Sequence, residues 1–289
     1  MQRCSFFIEG KALFGSFPTQ EQVTALEEMG VRSFFDLTSK EETKITPYTT
    51  KYKYVRYPIQ DRKTPRDWVS FARLIVDICK DIKSLGEGEK VYIHCKGGHG
   101  RSGVIVACVL CHYLGIKPEE ALELTNKYHA DRPEMRDKWR KIGSPQGKRQ
   151  KDFVCKFFKP IYYHGNHEQD YSYGFGNASN HSIELPGVGV FKNAYLAYHA
   201  LVYQDDKEYI KKLLEGIHER KDKHNHDYEA MKKVIELKFR QHPELKQKLL
   251  QTGLRPLYKS SVNTYWGSEK NMHGKILTEL RVVFLDERE

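Results

Sequence analysis

The pattern of apolar and polar positions changes character near the middle of the chain. In the first half, short apolar runs alternate with longer stretches in which apolar residues recur every three or four positions. Residues 5–8, 31–37, 53–58 and 91–94 have the length and the β-branched or aromatic content of strands. Between them the spacing predicts helices. One covers 20–29, with Thr19 and Gln22 forming a capping box and Gly30 ending it. A second is expected to open at Thr64-Pro65, and Val69, Phe71, Leu74, Ile75, Ile78 and Ile82 give it one apolar stripe. Further helices are predicted over 102–114, 118–128 and 148–158. This strand–helix rhythm predicts an α/β fold with a mostly parallel central sheet flanked by helices.

Residues 160–180 carry His, Tyr, Gly and Asn with little periodicity and read as a linker. The expected domains are therefore 1–160 and 161–289. The second half predicts helices over 193–203, 206–218, 228–240 and 243–252, a polar loop over 221–227, and a helix or extended segment over 275–283. That describes a second small α-rich (α+β) domain.

Composition narrows the picture. With 39% hydrophobic and 30% charged residues over 289 positions, the chain can build two cores and has no run long enough to cross a bilayer. The start lacks the apolar stretch of a secretory signal. A formal charge of +10 favours anionic partners, whether phosphoproteins, nucleotides, nucleic acid or acidic lipids. Of six cysteines, Cys108 and Cys111 sit inside an apolar run and read as core, with no second pair to make a metal site. The expectation is a cytoplasmic or nuclear protein in a reducing compartment, with no metal and no cofactor.

One segment carries specific chemistry: Val91-Tyr-Ile-His-Cys-Lys-Gly-Gly-His-Gly-Arg-Ser-Gly103. It places Cys95 and Arg101 at the two ends of a turn between a strand and a helix. Phosphate is a dianion with several oxygens to satisfy. The backbone amides of Lys96, Gly97, Gly98, His99 and Gly100 can cradle it, and the glycines let the chain turn inward. The following helix adds its positive end. Arg101 can grip two oxygens in a fork. Cys95 is the expected nucleophile, forming a phosphocysteine. Ser102 is placed to hydrogen-bond the sulfur as it leaves, and His94 to order the loop through buried bonds.

With that string the first half resembles the cysteine-based protein phosphatases, the dual-specificity group most closely, over about residues 4–158. The resemblance implies an aspartate on a separate loop that protonates the leaving oxygen, and Asp61 matches it in distance and surroundings. Asp36 is the alternative and reads as structural. It also implies a glutamine that orients water, for which Gln150 is the candidate and Gln146 the rival. Lys96 and His99 beside Arg101 point to a highly anionic substrate. A phosphorylated protein is expected first; a nucleotide, RNA 5′-end, inositol lipid or ADP-ribose phosphate is the alternative.

The second half resembles the NADAR-like (YbiA-like) N-glycosidase domains through Gly176-Asn177, the run Phe191-Lys-Asn-Ala-Tyr-Leu-Ala-Tyr-His-Ala200, Lys238-Phe239, Leu249-Leu-Gln-Thr-Gly253 and Tyr265-Trp-Gly267. Such chemistry needs a carboxylate. Here Tyr195, Tyr258 and Asn263 stand where that family has acids, and Glu184, Asp205 and Asp206 are the few carboxylates left. The resemblance therefore implies a domain that binds a nucleotide-like or ADP-ribose-like ligand or has become structural, with retained N-glycosidase activity as the alternative, and Asn177, Tyr195, Tyr258, Asn263 and Trp266 as the residues to consider.

Overall fold

The computed structural model describes residues 3–219 and 226–287. Most of the loop expected over 221–227 lies outside the described residues. The chain divides into two compact units, the first running to Lys159 and the second starting at Pro160.

The first unit contains β1 (Cys4–Ile8), β2 (Ala12–Ser16), α1 (Gln20–Glu28), β3 (Val31–Asp36), β4 (Lys53–Arg56) and α2 (Trp68–Ser84). It continues with β5 (Lys90–Cys95), α3 (Arg101–Leu114), α4 (Pro118–Ala130), α5 (Asp137–Ile142) and α6 (Lys148–Phe157). The sheet order is β1-β2-β5-β3-β4. All neighbours are parallel except the β1–β2 hairpin. β5 is thus central, and a ligand site is expected beyond its carboxyl end.

The core follows from the sequence stripes. The apolar face of α2 buries Phe71, Leu74, Ile75, Ile78 and Ile82. α3 is buried from Arg101 to Cys111, as a helix wrapped by sheet and neighbouring helices must be. Phe71 meets Phe153 and Phe157 of α6 at ring-centroid distances of 5.4 and 4.9 Å, which ties α2 to α6. Each such buried ring contributes about 1.5–3 kcal/mol of burial free energy. All six cysteines are free thiols, with Cys108 and Cys111 in the core.

Three differences from the sequence reading are local. β2 is absent from the apolar pattern, because Gly15 weakens its strand signal. The glycine is there because a Cβ would lie 2.5 Å from the Tyr92 hydroxyl and 2.8 Å from the Arg3 carbonyl. α2 opens at Asp67, not at Thr64-Pro65. The Asp67 carboxylate accepts from the amides of Val69 and Ser70, which satisfies two of the helix's free donors. α5 buries no residue, so no apolar period announced it.

The second unit contains β6 (Ile161–Tyr163), β7 (Ile183–Leu185), β8 (Gly189–Phe191), α7 (Ala194–Val202), α8 (Lys207–Leu214) and α9 (Tyr228–Gln241). α10 (Pro243–Gln251), β9 (Leu257–Lys259) and α11 (Met272–Asp286) complete it. The segment over 160–180 is not a linker. β6 pairs in parallel with β9, and Tyr163 and Phe175 are both buried in this unit's core. The ambiguous 275–283 segment lies within the helix α11.

Candidate active site

β5 delivers Cys95 at its last residue and α3 begins at Arg101, so the five residues between them form the whole turn. Three donors hold carbonyls of this turn outward. The Phe17 amide donates to the Lys96 carbonyl at 3.1 Å, Arg132 Nη1 to Gly98 at 2.8 Å, and Ser144 Oγ to His99 at 2.6 Å. In a trans peptide the carbonyl and the next amide point opposite ways. Holding these carbonyls outward therefore turns the following N–H groups toward the cleft, as an anion cradle needs. Gly98 has φ +75° and packs so closely on Gly15 that no side chain fits between them. α3 has no side-chain cap at Gly100, which leaves its first amides to be satisfied by water or a ligand.

Cys95 Sγ lies 3.6 Å from Ser102 Oγ, inside the fold at 2% exposure. The Arg101 guanidinium is equally buried, and its donors are divided. Nη1 and Nη2 both bind the Glu42 carboxylate, with the Nη2–Oε2 bond at 3.0 Å. Nη1 also donates to the Ile59 carbonyl at 2.9 Å. Asp61 Oδ1 stands 3.2 Å from Nη2, so this carboxylate lies beside the same guanidinium. Burial works against the Arg101 charge, but Glu42 and then Cys95 outweigh it and raise its pKa. Burial likewise pushes the Glu42 carboxyl up, and the bonds from Arg101 and the Ser39 amide more than reverse that.

Asp61, Cys95, Lys96, Arg101, Gln146 and Gln150 line one cleft of about 320 Å³. Gln150 is 1% exposed and rests against Gly100, where a Cβ would lie 2.9 Å from its Oε1. It is therefore not a solvated helix residue. Asp36 lies elsewhere, accepting from the Thr38 amide at 2.8 Å and the Tyr54 hydroxyl at 2.6 Å. His94 is fully buried, with Nε2 2.7 Å from the Tyr48 hydroxyl. Burial lowers its pKa to about 4, so it is a neutral brace at ordinary pH.

The charge expected of His99 is corrected. Burial, and then Arg132, lower its pKa to about 4. Its Nδ1 lies 2.7 Å from His129 Nε2 and its ring stacks on Trp139 with centroids 4.8 Å apart. His99 is a neutral wall. Lys96 is the cation of the pair, with Nζ on the Thr43 carbonyl at 2.7 Å.

Sequence reasoning missed Glu42, Tyr48, Arg132 and Trp139. Glu42 sits in a polar stretch between β3 and β4 with nothing to mark it. Arg132 is 2% exposed, donates to the Ser5 hydroxyl and to the Gly98 and Phe14 carbonyls, and lies 4.2 Å over the Phe14 ring. The one available signal was Arg132-Pro133 after a helix.

In the second unit the candidate residues separate. Asn177 is buried, with Oδ1 2.6 Å from His273 Nε2. Asn263 accepts from the amides of Tyr265 and Trp266, a turn role. Trp266 is 8% exposed and packs edge-on against Tyr198. Tyr195 is accessible and joins the same aromatic run through His199. Tyr258 is accessible too, but on β9, stacked on Tyr162.

A thiol, a guanidinium and a carboxylate thus gather around one strand-to-helix turn, the set of groups that phosphoryl transfer through a cysteine requires. The model of the family described as "Swiss Army Knife protein, DSP-PTPase phosphatase domain" matches residues 1–151. The chain belongs to the DSP-PTPase phosphatases. Protein 197R of Invertebrate iridescent virus 6, named as a tyrosine phosphatase, is 34% identical over 270 residues, covering 88% of this chain and 87% of its own. The similarity thus extends beyond the phosphatase unit. The Arabidopsis thaliana phosphatidylglycerophosphate phosphatase PTPMT2 is 31% identical over 121 residues, 40% of this chain and 51% of its own. Among solved structures, E. coli YbiA is similar at 23% identity and a TM-score of 0.36, covering 45% of this chain and 90% of that one. This phosphatase is a cysteine-dependent phosphoric monoester hydrolase. Among its described residues no helix is long and apolar enough to cross a membrane.

Proposed function

We propose that this phosphatase acts on phosphorylated protein, removing phosphate from tyrosine, serine or threonine side chains. Cys95 Sγ attacks phosphorus as the P–O bond to the side chain breaks, and Asp61 gives its proton to the departing oxygen. The turn amides and Arg101 take up the charge that builds on the equatorial oxygens. In the second step Asp61 accepts a proton from water, which attacks phosphorus while the P–S bond breaks. The sulfur leaves as a thiolate, which the Ser102 hydroxyl stabilises by a hydrogen bond without giving up its proton, and Gln150, with Gln146 beside it, orients the water. The observation that carries this reading is the convergence of Asp61, Cys95, Arg101 and Gln150 on one cleft.

The test is a panel of phosphotyrosine, phosphoserine and phosphothreonine peptides against inositol phosphates, 5′-phosphorylated RNA and ADP-ribose phosphates. The highest kcat/KM is expected among the peptides; a higher value for any other group refutes the protein assignment. Similarity to a plant phosphatidylglycerophosphate phosphatase favours a second reading, a lipid phosphate, and the inositol arm addresses it. For the second unit we propose binding of an ADP-ribose-like ligand without glycosidase turnover. The accessible Tyr195 at the edge of an aromatic run and the non-acidic Tyr258 and Asn263 support this. Calorimetric titration with ADP-ribose is expected to show binding that Tyr195→Ala weakens. No heat, or release of a free base, contradicts it.

A further inference from the structure

Beyond the groups that meet the phosphate, one large apolar side chain stands on the wall of the catalytic cleft. Among the described residues lining it, Asp61, Arg62, Lys96, Gln146 and Gln150 supply polar or charged walls, and Trp139 supplies an indole. The other two tryptophans are packing residues. Trp68 meets Phe153 and Phe157 at ring-centroid distances of 6.1 and 5.2 Å, and Trp266 packs on Tyr198. Trp139 belongs instead to α5, a helix that buries none of its residues. An indole that builds no core and lines a cleft is apolar surface offered to a ligand.

The ring is held in place before any substrate arrives. It stacks on the neutral His99 ring, 4.8 Å away and 16° from parallel. His99 is braced in turn, with Nδ1 2.7 Å from Nε2 of the buried His129. Arg140 pins α5 by donating to the Ala130 carbonyl and, at 3.0 Å, to the Arg132 carbonyl. A ring fixed in this way loses little freedom when a ligand stacks on it. Lys138 Nζ, 5.3 Å from the ring centre, ends an exposed and flexible chain that a ligand can displace.

We propose that Trp139 is the specificity-determining residue of the cleft, stacking on the aromatic ring of a phosphotyrosine whose phosphate sits in the turn. This rests on the phosphopeptide reading above and selects tyrosine within it. Phosphoserine and phosphothreonine carry no ring, so the indole gains little from either. Contact between two aromatic rings adds affinity beyond the area it buries, about twofold to tenfold.

The experiment assays one peptide sequence, carrying phosphotyrosine or phosphoserine, with wild type, Trp139→Phe and Trp139→Leu. Comparing the phosphotyrosine-to-phosphoserine ratio of kcat/KM between enzymes cancels the intrinsic difference between aryl and alkyl leaving groups. In Trp139→Leu that ratio is expected to fall about twofold to tenfold, through a raised KM for the phosphotyrosine peptide, and Trp139→Phe is expected to restore most of it. An unchanged ratio in Trp139→Leu overturns the assignment and leaves the phosphopeptide reading intact. So does a loss of vanadate affinity by the same factor, because vanadate has no ring and the indole would then only shape the turn. Inhibition of the wild type tests the stack without any substitution. Benzylphosphonate is expected to bind about twofold to tenfold more tightly than cyclohexylmethylphosphonate, which has similar size but no π-face, and equal inhibition overturns the proposal. Turnover of inositol phosphates or 5′-phosphorylated RNA with neither peptide used refutes the phosphopeptide reading itself, and this inference with it.

Discussion

Replacing Gly98 by alanine tests how tightly the turn is built. Gly98 has φ +75°, which costs a side-chain-bearing residue about 1–2 kcal/mol. A Cβ there would also lie 2.4 Å from the Gly15 carbonyl carbon, 2.6 Å from its oxygen and 2.7 Å from the Ser16 amide nitrogen. All three are backbone atoms of β2, which is paired on both sides, so they cannot swing away as a side-chain tip would. Forcing such an overlap costs about 1–3 kcal/mol more. The total is about 2–5 kcal/mol, and at about 2–4 °C per kcal/mol the unit is expected to melt about 4–20 °C lower. If the turn moves instead of β2, the Gly98 carbonyl leaves Arg132 and the amides lose their aim. Stability then falls less, and kcat/KM falls at least about a hundredfold, the loss associated with removing one oxyanion donor. Gly97→Ala is the control, because the nearest atoms to its Cβ, from 2.9 Å outward, belong to the His99 side chain and not to backbone. Melting curves and kcat/KM on an aryl phosphate are the assays. A Gly98→Ala variant with wild-type melting temperature and wild-type kcat/KM would refute the reasoning.

Other expectations follow from the same geometry. Glu42→Gln leaves the buried Arg101 fork with one neutral acceptor in place of a carboxylate, so stability is expected to fall by about 1–3 kcal/mol and phosphate-analogue affinity to drop. Denaturation and vanadate titration check this, and unchanged values in both contradict it. Asp61→Asn is expected to slow alkyl phosphates by more than tenfold while costing aryl phosphates with acidic leaving groups much less. Equal losses across leaving groups exclude it as the acid. Stability is expected to decline as pH falls from about 6.5 toward 4. His94 is held at about 4 by burial, so the unfolded chain takes up a proton across that window and the folded chain does not. Urea midpoints at pH 7 and 5 test the sign, and a higher midpoint at pH 5 contradicts it.

The parts legible in the sequence were those with a strong local rule. The strand, the glycine-spaced turn and the apolar helix between 91 and 114 each obey one, and together they placed Cys95, Arg101 and Ser102. The stripe of α2 likewise announced its buried face, though its start was misplaced because Thr64-Pro65 mimics a helix opening that Asp67 performs. What was illegible depends on long-range contacts. Glu42 is 59 residues from the Arg101 it binds, and Arg132 is 34 from Gly98. The neutrality of His99 is illegible for the same reason, since only the fold shows its burial and the nearby Arg132 that cause it. The second unit hid its strands because three-residue strands carry no period.

The most direct test of the central claim is rapid acid quenching during turnover of an aryl phosphate, followed by peptide mass spectrometry. The account predicts one phosphoryl group on the peptide containing Cys95, absent from Cys95→Ser, which still binds vanadate. Undiminished hydrolysis by Cys95→Ser, or the phosphoryl group on another residue, would contradict it.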